Sequence, residues 1–92
     1  MPYVSREKRP LLDLMLARVV TAIRHLAPGE VNYLITRLLI AWIDGVPTYS
    51  RLNEAIGVLE CAKLELYRRM AAPYEDTKRI ENGDVYPGED AQ

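Results

Sequence analysis

The chain has 92 residues, of which 49% are hydrophobic, so it is long enough for one domain and too apolar to be wholly disordered. Its formal net charge of −1 gives no general attraction to a polyanion, and we expect no long nucleic acid as a partner. A single cysteine, an N-terminus without the apolar segment of a signal peptide, and apolar runs too short for a bilayer predict a cytoplasmic protein without membrane contact.

The charge is distributed unevenly along the chain. Residues 1–29 carry five basic and two acidic groups, whereas residues 65–92 carry four basic and seven acidic groups. Two interpretations stay open. The two ends attract each other within or between subunits, or both segments are ordinary solvated surface.

The first half of the chain predicts two helices. The first begins at Pro10, a residue that the first turn of a helix tolerates, and its apolar residues recur at helical spacing: Leu11, Leu12, Met15, Val19, Ala22, Ile23 and Leu26. The second runs from about Glu30 to Asp44 and is apolar on nearly every face of its second half. Because two neighbouring helices in so small a domain cannot cover such a helix, we expect a homo-oligomer with this segment in the interface.

A longer third helix follows over residues 50–70, with Ser50 as its N-cap and an apolar stripe predicted to be buried: Leu52, Ala55, Ile56, Leu59, Ala62, Leu66 and Met70. Pro73 is expected to end or kink it. A short fourth helical segment then leads to a stop at Asn82-Gly83. The prediction is an all-α fold, with a three-helix core, a long third helix and a polar C-terminal tail. We expect residues 1–86 to form a single helical domain and residues 87–92 to be disordered.

The sequence lacks three patterns that are typical of catalytic sites. One histidine, one cysteine and scattered carboxylates give no metal-ligand set, and no glycine-rich phosphate loop or nucleophile–base pair is present. Small helical nucleotide pyrophosphohydrolases hold magnesium with two paired-carboxylate motifs. Glu81 and Asp84 match the second of these motifs formally, but a turn at Asn82-Gly83 separates them, and the first motif is absent from the sequence. We therefore predict a protein that is not an enzyme, with no catalytic residues, no metal and no cofactor.

Two polar clusters are candidate binding sites. The first lies on the second and third helices and includes Tyr33, Arg37 and Asn53. It forms either a polar pocket between helices or a close helix crossing at Gly57 with Arg37 paired to Glu60. The second interleaves cations with tyrosines over residues 67–86, and its candidate ligand residues are Arg68, Arg69, Tyr74 and Lys78. Arginine and lysine grip phosphate and tyrosine stacks on a base, so this cluster suits a small nucleotide, although surface ion pairs explain it equally.

Three strings carry a family resemblance: GEVNYLITRLL, YSRLNEAIGVLECAKLELYRR and APYEDTKRIENGDVY. With the opening MPYVSREKR they resemble a family of small uncharacterised proteins found in tailed phages, prophages and bacteria. The resemblance covers about residues 1–86. It implies a small accessory protein inside a bacterial host and transfers no functional residue.

Two functions fit this context. One is a phage-type oligomeric helical protein that binds and sequesters a nucleotide second messenger of bacterial immunity, as a non-catalytic sponge that counters host defence. The alternative is a protein-binding accessory or inhibitor module without a small-molecule ligand. A concave site lined by Arg68, Arg69, Tyr74 and Lys78 favours the first, and an exposed apolar patch without a basic pocket favours the second.

Overall fold

The computed structural model describes residues 1–88 of the chain, and no strand occurs within them. The α-helices are α1 (Arg9–Ala22), α2 (Pro28–Ile43), α3 (Tyr49–Leu66) and α4 (Ala72–Asn82). A π-helical segment, Tyr67–Ala71, joins α3 to α4, so that 34 consecutive residues form one long third helix. The predicted all-α class with three helices and a long third one is confirmed.

The chain divides into two compact units. The first is Met1–Val58 and the second begins at Leu59. The single domain over residues 1–86 stays a prediction. Most of the tail predicted to be disordered, residues 89–92, lies outside the residues that the structure describes.

The first two helices begin slightly earlier than the sequence predicted. Arg9 and not Pro10 is the first residue of α1, and a single 3₁₀ turn, Ile23–His25, follows its end. Helix α2 takes in Pro28 and Gly29, which were predicted to be a turn. The backbone N–H of Ala27 donates to the Glu30 carboxylate at 2.8 Å, which satisfies a group that would otherwise lack a partner at the start of α2.

The predicted cap of α3 is wrong. The helix begins at Tyr49, and the hydroxyl of Thr48 accepts the backbone N–H of Arg51 at 3.2 Å. This is the geometry of a threonine N-cap, in which the side chain reaches the amide three residues ahead. Ser50 therefore lies inside the first turn of α3.

Of the two predicted outcomes at Pro73, an end of the long helix is wrong, because α4 follows the π-helical segment without a break. The predicted kink stays a prediction. The backbone N–H of Ala72 bonds to the carbonyl of Tyr67, five residues back, and Pro73 takes a place in the first turn of α4. In a regular α-helix the proline ring meets the carbonyl four residues earlier. The wider π turn accommodates that ring, and α4 continues for 11 residues until Gly83, where φ is +89°.

The corner between α2 and α3 is held by Arg51. Its guanidinium carbon lies 4.0 Å from the centroid of the Trp42 ring, and its Nη2 donates to the Trp42 carbonyl at 2.9 Å. Glu54 adds a longer ion pair, at 3.8 Å. Arg51 thus satisfies a carbonyl in the last turn of α2 and covers one face of the tryptophan.

Replacing Arg51 by alanine is expected to lower the free energy of unfolding by about 1–2 kcal/mol, since a cation–π contact and a charged hydrogen bond are both lost. Chemical denaturation followed by circular dichroism measures this change. Because Trp42 is the only tryptophan, its fluorescence emission reports the same corner directly. Arg51→Lys is the matched control, which keeps the charge but not the planar fork. An unfolding free energy equal to that of wild type in Arg51→Ala would contradict this role.

Few apolar side chains are covered within the described residues. Ala55 is the only buried one, at 5% exposure, whereas Leu38 on α2 is 67% exposed. The stripe predicted to be buried on the long helix is correct at Ala55 and wrong at its large members, which are exposed: Leu52, Ile56, Leu59, Leu66 and Met70. The spacing identified a common face of the helix, but the described chain supplies no element that covers it.

Candidate functional site

A concave site of about 410 Å³ lies within the second unit, along α4 and the segment that follows it. We call it the C-terminal groove. Its walls combine two tyrosines, five charged side chains and small or apolar residues: Tyr67, Ala72, Glu75, Asp76, Lys78, Arg79, Gly83, Asp84, Val85 and Tyr86. All of these residues come from 20 consecutive positions, so the groove is formed by one helix and its own C-terminal extension.

The π-helical segment gives one wall of the groove its geometry. The Glu75 carboxylate, eight residues after Tyr67, interacts with the Tyr67 hydroxyl. In a regular α-helix a residue at that separation lies about 80° around the axis. The π-helical segment Tyr67–Ala71 lies between the two residues, and its wider turn changes this angle. The bond to Glu75 raises the pKa of Tyr67 above its ordinary value, and the negative charge of Glu75 adds to this effect.

The other wall depends on the turn at Gly83. The positive φ of Gly83 ends α4 in a conformation that favours glycine, and its N–H donates to the Arg79 carbonyl at 2.8 Å. Asp84 then accepts the backbone N–H of Tyr86 at 2.9 Å and lies 3.7 Å from the Arg79 guanidinium. These contacts hold Tyr86 in the lining of the groove.

The predicted ligand residues of the second unit are only partly brought together. Lys78 lines the groove, and its ammonium lies 5.6 Å from the centroid of the Tyr74 ring, as the four-residue spacing predicted. The same ammonium is 3.1 Å from the Glu81 carboxylate. Arg68, Arg69 and Tyr74 are exposed and are not among the lining residues.

Glu65 pairs with a different arginine from the one expected. Glu65 and Arg69 stand four residues apart, the common spacing of a helical ion pair, but Arg68 lies 3.2 Å from Glu65 instead. A separation of three residues also places two side chains on neighbouring positions of a helix surface. Arg68, one of the predicted ligand residues, therefore already has the Glu65 carboxylate beside it.

The charge of the groove opposes a phosphate ligand. Three carboxylates line it, from Glu75, Asp76 and Asp84, against the two cations Lys78 and Arg79. Both cations lie beside a carboxylate, at 3.1 Å and 3.7 Å. A phosphate that entered would have to displace these carboxylates and would face the remaining ones, so this surface suits a cation better than an anion.

The predicted cluster on the second and third helices is not gathered into one site. Tyr33 borders an apolar depression beside Leu26 and Leu34, whereas Arg37 and Asn53 are exposed side chains outside it. Among residues 1–88, no hydrogen bond or ion pair joins Tyr33, Arg37 and Asn53 to one another. Glu60, the residue suggested as a partner of Arg37, lies 3.3 Å from Lys63.

No group of three or more His, Cys, Asp or Glu side chains in residues 1–88 is placed to hold a metal ion. Over the same residues, no helix is long and apolar enough to cross a membrane.

Comparison with known protein families gives one match. A family model described as "Domain of unknown function (DUF6899)" matches residues 1–85. The chain belongs to this family. No curated protein and no solved structure matches it. The predicted membership of a small uncharacterised family is thereby confirmed.

The DUF6899 match includes the four α-helices found in residues 1–88 and every residue of the groove except Tyr86, which lies one position beyond it. From the sequence, Tyr67, Glu75 and Tyr86 were recognisable only as residues that lie near the basic candidates along the chain, and not as members of one site. Their grouping depends on the π turn and the Gly83 turn. The glycine was visible as a stop signal, but no residue pattern identified the π turn in advance.

The Tyr67 hydrogen bond predicts a dependence of stability on alkaline pH. Because the pKa of Tyr67 is raised in the folded protein, the folded state holds this proton more tightly than the unfolded chain does. The stabilisation is complete below the unfolded pKa, 10.0, and is lost as the pH rises through the folded pKa. Urea unfolding on both sides of that pH should show a smaller alkaline loss for Tyr67→Phe than for wild type. An identical loss in Tyr67→Phe and in the control Tyr49→Phe would contradict the assignment.

Proposed function

We propose that this DUF6899 protein is a non-catalytic, protein-binding accessory module that acts as a homo-oligomer. The observation that carries the proposal is the exposed apolar surface of α2, which includes Leu38 at 67% exposure and Trp42 at 41%. Soluble proteins rarely leave large contiguous apolar surfaces in water, and such surfaces mark sites of protein association.

The spacing on α2 specifies how that surface would pack. Val31, Ile35, Leu38 and Trp42 follow one another at intervals of four, three and four residues. This alternation places the four side chains on one stripe, as in the core positions of helices that pair lengthwise. We call this stripe the α2 seam. A second helix laid along it would meet these four apolar side chains, with Arg51 over one face of Trp42 at the end of the stripe.

The energy available from covering the α2 seam is large for a chain of this size. Fully covering a leucine, isoleucine or valine side chain contributes about 1.5–3 kcal/mol. A small domain with little buried surface has only a few kcal/mol of net stability, so covering three or four such side chains decides whether it stays folded. Assembly of copies along α2 therefore supplies core packing that the described single chain lacks.

Sequestration of a nucleotide messenger is the second candidate function. One observation favours it, namely the Lys78 ammonium 5.6 Å from the Tyr74 ring, an arrangement that offers a stacking surface beside a cation. The carboxylates beside Lys78 and Arg68 weaken it, because a phosphate must compete with them. The apolar surface of α2 makes the protein-binding function the better supported of the two.

The cellular setting belongs to the same proposal. The resemblance of the sequence to small proteins of phages and prophages supports a phage-type protein that acts in the cytoplasm of a bacterial host. A protein-binding module in that setting would act on a host or phage protein. No metal, cofactor or catalytic group takes part in this function.

Thermal unfolding at several protein concentrations, with and without a panel of cyclic and linear nucleotides, tests both candidates. If folding is coupled to assembly, the midpoint rises with protein concentration by mass action and is unchanged by nucleotides. A midpoint that is independent of protein concentration but rises with one nucleotide would overturn the protein-binding proposal in favour of sequestration.

A further inference from the structure

We propose that the C-terminal groove binds the basic N-terminal arm of a second copy of this chain, with Lys8 as the residue that enters it. The basic arm consists of Arg6, Lys8 and Arg9, which lie in a 3₁₀ turn and at the start of α1. This inference rests on the proposed function, because it requires that copies of the chain assemble.

The chemistry of the groove selects a cationic side chain. Tyr67 and Tyr86 line it and offer aromatic faces, which attract an ammonium or guanidinium group. Glu75 and Asp76 supply negative charge beside them. No cation of residues 1–88 forms an ion pair with either carboxylate. An incoming lysine would therefore meet two carboxylates that have no competing cation, in contrast to Asp84, which lies beside Arg79.

The basic arm has the complementary property. Arg9 donates from Nε to the Val4 carbonyl at 2.9 Å, which ties the arm to the start of α1. Arg6 and Lys8 are exposed, and within the described residues they have no hydrogen bond or ion pair from their side chains. Two exposed cations are thus held on an ordered turn and remain available to a neighbouring molecule.

The charge distribution of the whole sequence agrees with this pairing. Residues 1–29 have three more basic than acidic groups, and residues 65–92 have three more acidic than basic groups. Attraction between unlike ends steers two copies into contact and opposes the pairing of like ends. If each copy inserts its basic arm into the groove of the other, the contact is reciprocal and closes as a two-fold dimer rather than an open chain.

Carbodiimide cross-linking of mixed isotopes tests the contact. Equal amounts of unlabelled and ¹⁵N-labelled full-length protein are refolded together and treated with a carbodiimide, which joins a lysine amine to a carboxylate in direct contact. Mass spectrometry then identifies the linked peptides. The pairs Lys78–Glu81, at 3.1 Å, and Lys63–Glu60, at 3.3 Å, are internal references that should link within one chain. Lys8→Arg is the matched control, since it keeps the positive charge but has no reactive amine.

We expect Lys8 to be linked to Glu75 or Asp76 in peptide pairs of mixed isotope, and these pairs to disappear in Lys8→Arg. Only same-isotope pairs would show that the groove takes the arm of its own chain and would overturn the proposal. An oligomer whose reference pairs form without any Lys8 pair would overturn it too, while leaving the proposed function intact. A monomer without Lys8 pairs would overturn both.

Discussion

Replacing Leu38 by glutamate is expected to dissociate the assembly. Leu38 lies in the middle of the α2 seam and is 67% exposed in the single chain, so a neighbouring copy should cover it. The substitution removes apolar burial from each copy and places a charge in the interface. If two copies each lose about 2 kcal/mol of burial, the dissociation constant rises roughly a thousandfold. Sedimentation velocity at micromolar concentration measures the change.

Val46→Glu is the matched control for this experiment. It makes a similar change from an apolar residue to glutamate at a position that is 88% exposed and lies in the loop after α2. The control should assemble as wild type does. Mixing Leu38→Glu with Leu38→Lys should restore assembly if α2 packs against α2, because opposite charges then face each other. Unaltered assembly of Leu38→Glu would show that the interface lies elsewhere.

Replacing Ala55 by glutamate is expected to destabilise the fold. Ala55 on α3 is the only buried side chain among the described residues, and a larger charged group there meets both a lack of space and a lack of water. We expect a loss of about 2–3 kcal/mol in the free energy of unfolding. Glutamate is a good helix former, so helix propensity does not account for such a loss. Urea denaturation followed by circular dichroism measures it.

Asn53→Glu provides the comparison for Ala55→Glu. It adds the same charge on the same helix, two residues away, at a position that is exposed. The unfolding free energy of this variant should stay close to that of wild type, since exposed substitutions rarely exceed 0.5 kcal/mol. Equal destabilisation by the two variants would mean that added negative charge on α3, and not the burial of Ala55, is responsible.

Local sequence rules predicted the helices well, because each of these rules concerns neighbours along the chain. Gly83 ends the long helix as its stop signal predicted, and its φ of +89° shows why glycine is needed there. Tyr74 and Lys78 share a helix face as their spacing required. Thr48 rather than Ser50 caps α3, because two hydroxyl residues that lie two positions apart both satisfy the cap rule and only the observed hydrogen bond distinguishes them.

The candidate site was harder to predict, because it depends on a local irregularity in the long helix. Proline is expected to break a helix, yet the π turn before Pro73 lets it continue into α4. The same turn lies between Tyr67 and Glu75, the carboxylate that raises the pKa of Tyr67, and regular helical spacing does not predict this pairing. The burial of side chains was also not predictable from the sequence. An apolar stripe identifies the face of a helix that is suited to packing, but Ile56 and Leu66 on that face are exposed within the described residues.

Light scattering coupled to size exclusion, on the wild-type chain at micromolar concentration, tests the central claim most directly. If the α2 seam is an interface between copies, the measured mass is at least twice the mass of one chain. The fluorescence emission of Trp42 is then at shorter wavelength than in a sample diluted until the copies dissociate. A mass of one chain at every concentration, with unchanged Trp42 emission, would contradict the account.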